Sequence, residues 1–211
     1  MNHLNRFQEL SAASGLRKLQ MDRQIEQFLP GYESITNASF FSRVVLGNPL
    51  TAAGGVVNYF GDKGGQFNTT TNFPLPGQLP ANMGFVAWAY RYEVDYAQNI
   101  NDIMTAFQDA YFHINVAEYY YKQGHGLELF KLYPGISAES TAAIGTTGIA
   151  LTAAHNYGSA EGGTIELREP IPLTSQVQIS AVVTLLTDVV ALHGAVTKFR
   201  LIGTLARKVA G

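Results

Sequence analysis

The chain has 211 residues, with 14 Lys or Arg, 16 Asp or Glu and no cysteine. The missing thiols exclude a disulfide framework, a thiolate metal site and a cysteine nucleophile, and a net charge of −2 speaks against nucleic acid as a main partner, because phosphate binding depends on clustered cations. Charged residues are 14% of the chain, against roughly 25% in an average soluble domain, which implies much surface that does not face bulk water.

The length suits one all-β domain with an appendage, or two small domains. No apolar run reaches the roughly 18 residues that a spanning helix needs. The N-terminal MNHLNRFQELSAASGLRKLQ lacks the apolar stretch of a secretion signal, so synthesis and first folding are expected in a cytoplasm. Residues 2–29 form the one extended helical stretch: Leu4, Phe7 and Leu10 recur at helical spacing, followed by Leu16 and Leu19, then Met21, Ile25 and Phe28. Ser14-Gly15 marks a break and Pro30-Gly31 a stop. This stripe packs either on its own domain or against a neighbouring subunit or an amphipathic interface.

From residue 38 the period changes to two, and strands are predicted at 38–46, 55–60, 66–73 and 83–96, separated by GNP, GDKGG and PLPGQLP turns. In the last of these, even positions Val86, Trp88, Tyr90, Tyr92, Val94 and Tyr96 are apolar or aromatic throughout. The odd positions change from Phe85, Ala87 and Ala89 to Arg91, Glu93 and Asp95. One continuous buried even face is therefore expected, with the other face turning polar midway. QNINDIMTAFQD places Ile100, Ile103, Met104 and Phe107 on one helical face, with Asn99 or Asn101 as cap. AYFHINVAEYYYKQ reads as one strand and LELFKLY, 127–133, as its partner. Residues 135–163, rich in Gly, Ala and Thr, read as a long surface excursion, and GTIELREPIPL, SQVQISAVVTLL and VTKFRLIGTLARKV as three closing strands. Eight or nine strands without a β-helix-β rhythm predict an antiparallel sandwich, and eight is the jelly-roll number.

Catalytic, cofactor-binding and metal-binding residues are not indicated, and the chain is not read as an enzyme. The five histidines are scattered, with no HxH or HExxH pair; His113 and His125 with Glu118 or Glu128 are the single conceivable metal group, and turn or surface histidines are the better explanation. GTTGIAL lacks the Lys-Ser/Thr of a phosphate loop, no GxSxG elbow is present, and Glu166 and Glu169 flank Arg168 as a solvated strand face would. Trp88 is read as core in preference to a sugar-stacking platform. Three consecutive tyrosines, Tyr119 to Tyr121, must alternate faces, so at least one points outward, either to a subunit contact or beneath the long excursion.

Taken in order, the amphipathic arm, FPLPGQLPANMGFVAWAYRYEV, the short helix, the strand ending at Tyr119–Tyr121, and the close EPIPLTSQVQISAVVTLL with KFRLIGTLARKVAG resemble the jelly-roll major capsid proteins of tailless icosahedral bacteriophages, above all those with an internal membrane. The resemblance spans about residues 65–211 as a pattern of order and texture. It implies a helical arm over 1–30 and a single jelly-roll sandwich over 31–211, with one short inserted helix. It further implies a coat subunit that self-assembles into a virion shell without cofactors. Its partners would be copies of itself in trimeric or pseudo-hexameric capsomers, with a second coat protein and, through the arm, an internal lipid membrane as further partners, and no direct nucleic-acid contact. On this reading Phe7, Leu10 and Leu19 of the arm, Arg91, Glu93 and Asp95 of the long strand, and Tyr119 and Tyr121 lie at subunit interfaces. The rival readings are a carbohydrate-binding jelly roll of phage-spike or lectin type and a cupin-like enzyme.

Overall fold

A computed structural model describes residues 22–61, 71–94, 98, 100–130 and 164–209. A helix, α1, covers residues 22–28. Eight strands follow among the described residues: β1 Tyr32–Val45, β2 Val56–Tyr59, β3 Met83–Val94, β4 Tyr111–Val116, β5 Tyr119–His125, β6 Thr164–Leu173, β7 Ile179–Thr184 and β8 Val196–Lys208. A second helix, α2 Ile100–Phe107, lies between β3 and β4, with the expected apolar positions Ile103 and Phe107 buried.

The strands form two four-stranded antiparallel sheets, β1-β8-β3-β6 and β2-β7-β4-β5. The first strand thus pairs with the eighth, the second with the seventh, the third with the sixth and the fourth with the fifth. Most of this pairing joins residues far apart in sequence.

Aromatic side chains from both sheets fill the space between the layers. Phe199 on β8 is the hub: Tyr90 stacks on it at 5.7 Å, and Tyr59, Phe60 and Tyr92 meet it at 5.7, 6.0 and 5.9 Å. Rings bury large apolar area, but a tyrosine also brings a hydroxyl that needs a partner. The fully buried Tyr59 hydroxyl shares hydrogen bonds with Tyr92 at 2.8 Å and with Thr197, whose own hydroxyl donates to the Val44 carbonyl at 3.1 Å. Tyr90 donates to the Glu128 carbonyl at 3.1 Å. Phe107 of α2 packs against Tyr92 and Phe130 at 5.6 and 5.1 Å, so the helix closes one end of the sandwich.

Four strand expectations are corrected. First, β3 has no single buried even face. Its pairing with both β8 and β6 shifts register between Ala87 and Ala89, so the extra residue Trp88 reverses the alternation. Phe85 and Ala87 face the sandwich interior before the bulge and Tyr90 and Tyr92 after it, while Val86 and Trp88 belong to a separate cluster on the outside of the sheet. The bulge draws two backbones together: a Cβ on Gly203, opposite Ala87, would overlap the Val86 carbonyl oxygen. Second, β1 begins at Tyr32, well before residue 38, because its first half pairs with the end of β8 across a register shift at Ile35. Third, residues 110–123 are not one strand; a two-residue turn at Ala117-Glu118 makes β4 and β5 a hairpin, with Ala117 in the left-handed region at φ 53. Fourth, residues 127–129 of the partner expected at 127–133 do not form a strand, and 131–133 lie outside the described residues. Gly126–Leu129 is one 3-10 turn with Phe130 buried behind it. Of the strand expected at 66–73, Thr71 bridges Ser42, and 62–70 lie outside the described residues, as does the excursion at 135–163.

Candidate functional site

Among the described residues, the candidate sites are the outer faces of the two sheets. The outer face of the β1-β8-β3-β6 sheet is divided. On one half α1 lies down: Ile25 and Leu29 are buried against Val86 and Ala206, with Phe28, Tyr32 and Trp88 around them. Burying two such side chains stabilises the docked helix by roughly 3–6 kcal/mol before ordering costs. Gly84 permits the fit, since a Cβ there would come within 2.8 Å of the Leu29 side chain. The Asp22 carboxylate accepts from the Ser34 backbone N–H at 3.0 Å and from its hydroxyl, fixing the start of the described helix to β1. Trp88 is therefore neither sandwich core nor a sugar platform. It packs edge-to-face on Phe28 at 5.8 Å, and its indole N–H donates to Thr204 at 3.0 Å.

The other half of this face carries charge. Glu93 lies 3.1 Å from Arg91 and 3.6 Å from both Lys198 and Arg200, so one carboxylate serves three cations. The Arg91 contact is Coulombic: its Nε–H is not aimed at the carboxylate as a hydrogen bond requires. Burial lowers the Lys198 ammonium below the usual lysine range, Arg200 and Arg43 add to that shift, and Glu93 opposes it. The Lys198 ammonium lies over the Phe41 ring, 4.8 Å from its centre.

The outer face of the second sheet has a different composition. On β2 and β7 it presents Val56, Asn58, Ser180 and Val182, which alternate with buried Val57, Tyr59, Ile179, Ala181 and Val183, while Thr184 on the same side is itself buried. On β4 it presents Tyr111, His113 and Asn115, between buried Phe112, Ile114 and Val116. On β5 the partners of those three are His125, Gln123 and Tyr120. Among the described residues this face carries no Asp, Glu, Lys or Arg. The His113 ring meets Tyr120 edge-on at 5.2 Å, and burial holds its imidazole below the usual histidine range.

The sheet edges are treated differently from one another. The edge of β1 is sealed by Asn72, whose side chain accepts from Phe41 N–H at 2.6 Å and donates to the Ser39 carbonyl at 2.8 Å. Pro170 and Pro172 remove donors from β6, and β2 is only four residues long. On β5, Tyr119, Tyr120 and Tyr121 are all exposed, at 74%, 66% and 40%. The expectation that at least one of the three points outward holds for all of them: Tyr120 pairs with outward Asn115 and Tyr119 with Val116 on the inner side, and because β5 is an edge strand with a register shift opposite Ile114/Asn115, neither side of it is covered. Lys122 folds inward over the Phe112 ring at 5.8 Å and pairs with Glu128 at 3.1 Å. Glu128 also accepts from His125 N–H at 3.1 Å, and that backbone bond, ahead of Lys122, lowers its carboxyl below the usual range.

Of the residues expected at interfaces, Arg91 and Glu93 lie on the outside of one sheet and Tyr119 and Tyr121 on the edge of the other, so they do not form one surface. Phe7, Leu10, Leu19 and Asp95 lie outside the described residues. Lys198 and Arg200 were legible as an outward pair on their strand, but not as neighbours of Glu93, which depends on β3–β8 register. The His113–Tyr120 pair had no signal, because its hairpin turn was invisible. Among the described residues no three His, Asp or Glu side chains are placed to hold a metal ion, and no helix is long and apolar enough to cross a membrane. Comparison with protein-family models, with curated proteins and with solved structures finds no match.

Proposed function

We propose that the sandwich is a single jelly roll and that the chain is a structural coat subunit which assembles with copies of itself into a closed shell. The observation that carries the reading is the pairing order, first strand with last and inward to the fourth with the fifth, which is how a long hairpin rolls into two Greek keys. An outer sheet face without charged side chains among the described residues, with exposed tyrosines, supports the assembly role, because aromatic enrichment and charge depletion mark the centres of protein interfaces. The same resemblance that suggested the role places the subunit in a virion, with copies of itself as main partners. The chemistry is that of surfaces, and no reaction is assigned.

The carbohydrate-binding reading draws on the same tyrosines. Trp88 does not support it, since the indole is covered by Phe28 and already donates its N–H to Thr204. Light scattering and negative-stain imaging of the purified full-length protein test the proposal. Rings, capsomers or shells are the expected result, and a monomer at all concentrations would refute it.

A further inference from the structure

We infer that the outer face of the β2-β7-β4-β5 sheet, with the tyrosine rim of β5, is where this chain meets a second copy of itself, face to face across a two-fold axis. The inference rests on the coat-subunit reading for the identity of the partner and adds the place of contact.

Extent is the first support. Tyr120 and Tyr111 on the face are 66% and 48% exposed, and Tyr121 at the register shift on the rim 40%. A tyrosine covers roughly 150–250 Å² when fully buried, so these three rings offer on the order of 300 Å². That is more than a third of the ~800 Å² per partner in a standard interface, and exposed Val56 and Asn58 on β2 extend it. The footprint matches a protein and far exceeds one sugar ring.

Charge selects the partner. In an isologous contact each surface meets the same surface, so any net charge near the axis faces its own copy. The sheet face around His113 and Asn115 carries no formally charged side chain among the described residues and offers hydroxyl, amide and imidazole groups of both donor and acceptor character. The charged half of the opposite sheet, where Arg91, Lys198 and Arg200 surround the one carboxylate of Glu93, would repel itself in such an arrangement.

Edge geometry selects the mode. The irregularity in β5 and the inward Lys122 work against addition of a further strand to its backbone. The contact is therefore made by side chains on the face and rim, and the two sheets stack without merging into one.

The test compares wild type with Tyr120→Glu and Gln123→Glu, each placing a carboxylate on the face, and with Leu75→Glu at an exposed turn elsewhere, all in the full-length chain. Self-association is followed by sedimentation and light scattering, with circular dichroism and melting as folding controls. The face variants are expected to weaken association by about ten-fold or more with melting unchanged, and Leu75→Glu to associate as wild type does. A folded Tyr120→Glu protein that associates normally overturns the inference while leaving the coat reading in place. Wild type that stays monomeric at every concentration overturns both; tyrosine fluorescence of that monomer shifting with a neutral oligosaccharide would reassign the face to sugar. Should the face variants misfold, hydrogen exchange of the wild type decides: amides in 111–125 gain protection on assembly if the inference holds, and unchanged exchange there overturns it.

Discussion

Ala117 holds the tightest turn of the second sheet at φ 53, a region that costs an L-residue with a Cβ about 1 kcal/mol relative to glycine. Nothing in Ala-Glu announces a two-residue hairpin, whose usual marks are Asn-Gly or Asp-Gly. For that reason residues 110–123 read as one strand. Ala117→Gly removes the strain and is expected to stabilise the protein by about 0.5–1 kcal/mol, read as a higher urea midpoint with an unchanged slope. A lower midpoint would show that the turn is held in another conformation in solution. Trp88 illustrates the same limit at a different residue: as the extra residue of a bulge it looked like one more member of an alternating face, and only its pairing with two neighbours reveals the break.

At the level of elements, the bulge in β3 sets what each half of the strand does. Before it, the outward positions are apolar and receive α1; beyond it, they are charged and gather around Glu93. The odd-position change from alanine to Arg91 and Glu93 was legible in the sequence, and the charged half is outward as expected. The partners came from β8, whose Lys198 and Arg200 lie across the register from Glu93 and Arg91. Glu93→Gln leaves those cations facing one another on a half-buried surface. We expect it to lower stability by about 1 kcal/mol at low salt, with part of the loss recovered as added salt screens the repulsion. Thermal melts across a salt series check this, and a salt-independent loss would assign Glu93 a packing role instead.

Across the whole molecule, the tyrosine-rich interior sets a limit on alkaline stability. Burial pushes the Tyr92 hydroxyl from 10.0 up to about 12, and burial first, then the neighbouring Tyr92, raises Tyr59 well above the ordinary tyrosine range. The folded state holds these phenols neutral while the unfolded chain ionises them near the ordinary value. Their contribution is therefore complete below pH 10 and is lost as pH rises from there through about 12. Absorbance at the tyrosinate band should show a late step coinciding with loss of the far-UV signal; ionisation of every tyrosine without unfolding would contradict the buried hydroxyl network. By itself the sequence determined the β-rich class, the short helix α2, the closing strands and the want of catalytic motifs, because alternation, helical spacing and missing residue types are local properties. Which strand lies beside which, where α1 lands, and which sheet face carries no charge among the described residues were decided only in the folded chain, since they depend on pairing between segments from tens of residues to more than a hundred apart and on a one-residue bulge that reverses every side chain after it.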